Sequence, residues 1–149
     1  MSELSPRLII GIGNPSRGDD ALGPTAIERL AELALPDVEL LTDFQLQVEH
    51  ALDLRGRSEV IFIDAAMTGQ TPFAFQPVEA IADTSLSSHA LSPAALLHAY
   101  AKLYGAPPSA YVMAIRGYSF DLGAALGETA TGNLAAALDW LAKHLRSDA

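Results

Sequence analysis

The 149-residue chain contains no cysteine. Disulfides, thiolate nucleophiles and sulfur-ligated metals are therefore excluded, and any metal must be held by nitrogen and oxygen ligands. Positive charge is scarce. Nine Lys and Arg stand against eighteen Asp and Glu, a net charge of −9 with the histidines neutral. That balance opposes unassisted contact with nucleic-acid phosphate or an anionic membrane, since both need a basic footprint. Long apolar runs are missing too: the run from Leu8 to Ile12 ends at Gly13-Asn14-Pro15, and no stretch reaches the roughly 18 residues of a membrane span. The leading Met-Ser-Glu-Leu-Ser-Pro-Arg lacks the pattern of a signal peptide, so a cytoplasmic protein is expected. What the chain does have is 50% apolar and only 18% charged residues, which excludes a disordered or fibrous polymer. A domain of this length buries roughly 68–70% of its unfolded surface and needs no staple.

The pattern along the chain alternates strand and helix signals. Arg7 to Ile12 is a short apolar run closed by turn residues, as in a strand buried on both faces. Leu22, Ala26, Leu30 and Leu33 recur on one helical face. Pro24 is comfortable only in a first turn, so this helix should start near Ala21–Gly23, with Asp19 and Asp20 at its entrance and Pro36 closing it. Val38 to Thr42 reads as a second strand, Gln47 to Leu54 as a short helix, and Glu59 to Ile63 as a third buried strand ending at Asp64. Phe73 to Val78 alternates and contains Pro77, which suits an edge strand. Ser92-Pro93 is an N-cap followed by proline at the first helical position, opening a helix to about Tyr104. Ala110 to Ile115 is another buried strand. A last helix is expected from about Gly132 to Leu145, with Leu134, Leu138, Leu141 and Leu145 at helical spacing. This order predicts one α/β domain over 1–149, a three-layer sandwich with a mainly parallel sheet and helices on both faces.

In such a sheet, ligands sit beyond the carboxyl ends of the strands. The rule selects the loops Gly11–Asp20, Thr42–Gln47, Asp64–Gln70 and Arg116–Ser119. The first contains Gly11-Ile-Gly13 and invites a dinucleotide reading. Ser16, however, stands where that motif needs its third glycine, and Asp19 and Asp20 would repel a pyrophosphate at the helix N-terminus. The same carboxylates are favoured there as anions and suit a cation or an activated water. One of them can cap the helix; both cannot, so at least one should be free. Asp64 alone could be a turn residue. Beside Asp20 it makes a carboxylate pair, in which like charge raises one pKa unless a cation relieves it.

Of the four histidines, His144 suits the negative end of the last helix dipole and His98 a packing or surface role, while His50, beside Glu49, stays open. His89 differs, lying in the loop Ser87-Ser88-His89-Ala90 just before Ser92-Pro93, where it could be a neutral metal ligand or an acid/base. From the residues alone the site is acidic, histidine-assisted and at the edge of an α/β sheet.

The segment from Gly11 to Pro24 resembles the N-terminal signature of the nickel-iron hydrogenase maturation endopeptidases, and the similarity extends over most of the chain. Ile63-Asp64-Ala65 is similar to that family's second acidic position, His89 to its histidine, and Arg116 to Gly123 to its late strand and loop. Asp20 stands where some members carry glutamate. Gln45 to Ala51 is similar to a Gln-Leu-x-Pro-Glu segment of one subgroup, with Val48 in place of its proline. The resemblance implies an aspartic-type endopeptidase that makes one cut near the C-terminus of a hydrogenase large subunit after nickel insertion. Asp20, Asp64 and His89 would meet the nickel, Asp20 and Asp64 would be the catalytic acids, and Asn14, Arg17, Asp19, Gln45 and Arg116 would face substrate. No permanently bound cofactor is expected, because the nickel arrives with the precursor, the expected partner. Two alternatives use the same residues: a small-molecule metal-dependent hydrolase, and a non-enzymatic nickel-checking chaperone.

Overall fold

The computed structural model describes residues 4–82 and 91–147. Five strands form one sheet: β1 (Arg7–Ile12), β2 (Val38–Asp43), β3 (Glu59–Ala66), β4 (Phe73–Pro77) and β5 (Ser109–Arg116). Their order is β2-β1-β3-β5-β4. Only β4 runs antiparallel; its pairing with β5 sets Phe73 opposite Ile115 and Pro77 opposite Tyr111. The proline therefore lies on the strand with β5 on one side only, where a missing N–H costs the ladder least.

Among the described residues four α-helices cover the sheet: α1 (Leu22–Glu32), α2 (Ala51–Leu54), α3 (Pro93–Tyr104) and α4 (Glu128–Ser147). Strand alternation sorts the core into two layers. Ile9, Ile61, Ile63, Met113 and Ile115 pack against Leu22, Ala26, Ile27 and Leu30 of α1 and Leu134, Leu138 and Leu141 of α4. Leu8, Ile10, Val60 and Phe62 pack on the other face against Leu54 of α2 and Leu96, Leu97 and Tyr100 of α3. The chain thus builds the expected three layers, with α1 and α4 on one face and α2 and α3 on the other.

Pro24 falls in the first turn of α1, and the Ser92 hydroxyl accepts from the Ala95 N–H at 3.1 Å to cap α3. Three expectations are corrected. Leu33 lies beyond α1 and is 44% exposed, while Ile27 takes the buried place. The last helix begins at Glu128 rather than near Gly132, which sits inside it with open space where a side chain would be. Strand β3 does not end at Asp64; it continues to Ala66, because Asp64, Ala65 and Ala66 pair with Ala114, Ile115 and Arg116 of β5.

The pairing of β1 with β3 stops earlier, at Gly11 opposite Ile63. Strand β1 leads through α1 to β2 on one side, and β2 leads back through α2 to β3 on the other. The reversal makes the gap between the carboxyl ends of β1 and β3 the topological switch point, where doubly wound sheets open a crevice.

Candidate active site

Two carboxylates flank that crevice. Asp20 follows β1, at the third position of a short 3-10 helix, Gly18–Ala21, that leads into α1. Asp64 stands on β3 just past the last residue that pairs with β1. The glycines of the first loop explain how the chain reaches this geometry. A side chain on Gly11 would collide with the Gly23 carbonyl and Ile27, and one on Gly23 would lie 2.6 Å from the Ile12 nitrogen and 2.8 Å from the Ile63 oxygen. These two glycines let the start of α1 lie directly on the ends of β1 and β3. Gly13 adopts φ 148°, and a Cβ there would strike the Asp20 carbonyl, so the loop can fold back on its own strand only with glycine. The glycine-rich run serves close packing and not phosphate.

The Asp20 carboxylate accepts the Asn14 N–H at 2.8 Å. Asp64 accepts its neighbour's amide, Ala65 N–H, at 2.8 Å. Burial pushes the Asp64 carboxyl up to about 7; the Ala65 bond works against the rise, and the Asp20 charge adds to it. Neither acid forms an ion pair with Lys or Arg among the described residues.

Asp19 overturns the expectation of a substrate-facing group. It is 1% exposed, and its carboxylate accepts three backbone N–H groups from the far end of the chain: Tyr118 at 2.7 Å, Ser119 at 3.1 Å and Gly127 at 2.8 Å. Burial works to raise its pKa, but the donors at Gly127, Tyr118 and Ser119 outweigh it and hold the group below its usual 3.8. Neither Asp19 nor Asp20 caps α1, which begins without a side-chain cap.

Among the other expected residues, Asn14 is half-buried and its side-chain oxygen accepts from the Ser16 N–H at 2.8 Å. Arg17 is exposed and Gln45 half-buried, both on loops at this end of the sheet. Arg116 closes β5; its guanidinium donates to the Gly117 and Gly69 carbonyls and lies 4.9 Å over the Tyr118 ring, tying two rim loops together. His89 lies outside the described residues. Among the described ones no three potential ligands come together to hold a metal. His50 donates and accepts structurally: Nε2 meets Asp43 at 3.2 Å and Nδ1 accepts the Gln47 N–H at 2.9 Å. His144 lies in the last turn of α4, as the dipole reading expects, and also stacks on Trp140 and faces Glu59 at 3.7 Å.

Solved structures of similar shape can now be set beside this geometry. A hydrogenase maturation protease HycI from Thermococcus kodakarensis KOD1 superposes with a TM-score of 0.75 at 24% identity, covering 95% of this chain and 93% of its own. The hydrogenase maturating endopeptidase HybD from E. coli gives 0.74 at 22% identity, over 95% and 93% of the two chains. An endopeptidase from Escherichia coli gives 0.75 at 25% identity with the same coverage. This chain has the hydrogenase maturation protease fold. No family model and no curated protein matches the chain by sequence.

The maturation protease fold also presents features that sequence reading passed over. The rim of the crevice carries exposed apolar side chains: Phe44 at 64%, Met67 at 68% and Leu122 at 70%. Large apolar residues in turn-rich loops were the available signal. A cavity of about 350 Å³, lined by Ala66, Thr68, Gly69, Gln70, Ala74, Gln76, Val112 and Ala114, lies on the sheet beside Asp64.

Proposed function

We propose that the chain is an endopeptidase that removes the C-terminal extension of a nickel-iron hydrogenase large-subunit precursor once nickel has been inserted. The observation that carries this reading is the carboxylate pair across the switch point, where Asp64 is raised to about 7 by burial and by the charge of Asp20. Two acids that pair with no Lys or Arg among the described residues gain most when a divalent cation enters, because its charge replaces their repulsion with attraction. In this reading the cation is nickel carried by the precursor. Asp20, Asp64 and His89 meet it and so register that the metal has been loaded; the purified protein holds no metal or cofactor of its own.

A carboxyl poised near neutrality is suited to move protons at physiological pH. Water attacks the scissile carbonyl carbon and gives its proton to a carboxylate. The C–N bond then breaks, and the proton passes to the leaving amine. Exposed Phe44, Met67 and Leu122 give the crevice an apolar rim suited to a protein substrate. No helix among the described residues is long and apolar enough to cross a membrane; a cytoplasmic encounter with the precursor is part of the proposal.

The test is to incubate the protein with nickel-loaded and nickel-free precursor. A shortened product should form only with nickel present, and Asp20→Ala or Asp64→Ala should each slow its release by about 10³-fold. Undiminished cutting by both variants would refute the site. A tightly held metal in the isolated protein would favour the small-molecule hydrolase, and nickel binding without cleavage the chaperone.

A further inference from the structure

The loop that carries Asp20 is clamped to a segment about a hundred residues further on. Besides the three donors on the Asp19 carboxylate, the Asp19 N–H donates to the Ser119 carbonyl at 2.7 Å, Gly18 to Ala124 at 3.0 Å, and Gly123 to Ser16 at 2.6 Å. The pocket around Asp19 is cut to its size: a Cβ on Gly117 would sit 2.8 Å from the Asp19 Cβ, and one on Gly127 3.2 Å from its Oδ1. Asp19 does not cap α1, the helix it precedes, and at 1% exposed it faces no crevice, so neither common use of an acid at that helix entrance accounts for it.

Asp20 comes next in the same 3-10 helix, where successive side chains project roughly 120° apart. If Asp19 points into the clamp, Asp20 must point away from it, toward the Asn14 N–H and the crevice. We propose that Asp19 is the positioning residue for Asp20: by gripping the 117–127 segment with three backbone hydrogen bonds, its buried carboxylate sets where Asp20 stands beside Asp64. This rests on the reading of Asp20 as the site's acid for its effect on cleavage, but not for its effect on the loop.

The experiment compares the wild type with Asp19→Asn, which keeps one acceptor and turns an amide against a backbone donor, and with Gly127→Ala, which keeps the charge and crowds Oδ1. Amide hydrogen exchange is followed at Asn14, which donates to Asp20, and at Leu141 in α4, and kcat and KM are measured on the nickel-loaded precursor. Exchange at Asn14 should quicken about tenfold in Asp19→Asn and about threefold in Gly127→Ala, with Leu141 within about twofold of wild type. The value of kcat should fall in the same order, with KM changed less than about twofold. Unchanged exchange at Asn14, equal acceleration at Leu141, or a rise in KM at constant kcat would overturn the proposal. If Asp19→Asn does not fold, Gly127→Ala decides alone. A wild type that leaves the precursor uncut would instead defeat the proposed function, and the exchange result would still judge the clamp.

Discussion

The two ends of the sheet treat charge in opposite ways. At the amino end of the strands Glu59 is buried, yet Arg7 reaches it at 3.0 Å and His144 at 3.7 Å, while Arg7 also donates to the Leu145 carbonyl at 2.9 Å. At the carboxyl end, Asp20 and Asp64 have backbone amides for company and each other's charge to contend with. A cavity of about 700 Å³ lies at the amino end, lined by Arg7, Glu59, Tyr111 and Arg146 among others, twice the volume beside Asp64. Volume therefore favours the amino end, and charge the carboxyl end. The informative difference is that the acid at the amino end meets Arg7 and His144, whereas among the described residues no Lys or Arg pairs with the acids at the carboxyl end.

That contrast can be broken at either end. Glu59→Gln should strip Arg7 and His144 of their shared carboxylate and destabilise the fold by about 2–3 kcal/mol, because a partly buried cation loses its partner. Chemical denaturation would show the loss, and turnover of the folded variant should be unchanged.

Asp64→Asn should do the reverse. A carboxyl whose folded pKa lies near 7, above the ordinary 3.8, binds its proton more tightly folded than unfolded. Its contribution to stability is thus intact below about pH 4 and lost as pH rises toward 7. The whole shift corresponds to roughly 4 kcal/mol, and partial solvent access reduces it to ~2. The variant should accordingly match the wild type near pH 4 and exceed it by ~2 kcal/mol at pH 8, while losing cleavage. Equal stability across that range would show that the acids are not in conflict. The smallest effect belongs to neither end: Asp139→Ala removes an exposed pair with Lys143 and should cost less than ~0.5 kcal/mol in the same denaturation assay.

Much of this arrangement was legible before folding was considered. The place of Pro24, the cap at Ser92-Pro93 and the edge strand with Pro77 follow from local backbone chemistry, and the structure holds each of them. Asp20 stood out at the entrance of a helix that follows a buried strand, and Asp64 because it follows the apolar run Val60 to Ile63. Asp19 was misread since all three of its side-chain donors lie 99 to 108 residues away, beyond any local pattern. Glycine misled once, at Gly132, where a helix start was expected and the helix merely faces open space; at Gly11-Ile-Gly13 the phosphate reading had already been set aside, and backbone packs on backbone there.

The linear order of residues determined the main strands and helices among the described residues, their apolar faces and the acids near them, because those depend on neighbours within a turn or two. Only the assembled sheet decided that β1 lies beside β3, that β3 runs on past it, and that one aspartate locks into a distant loop while the next meets Asp64 across a gap. Strand neighbours and clamp partners are chosen by packing between segments far apart in the chain, and that choice brings the charge of Asp20 to bear on a buried Asp64.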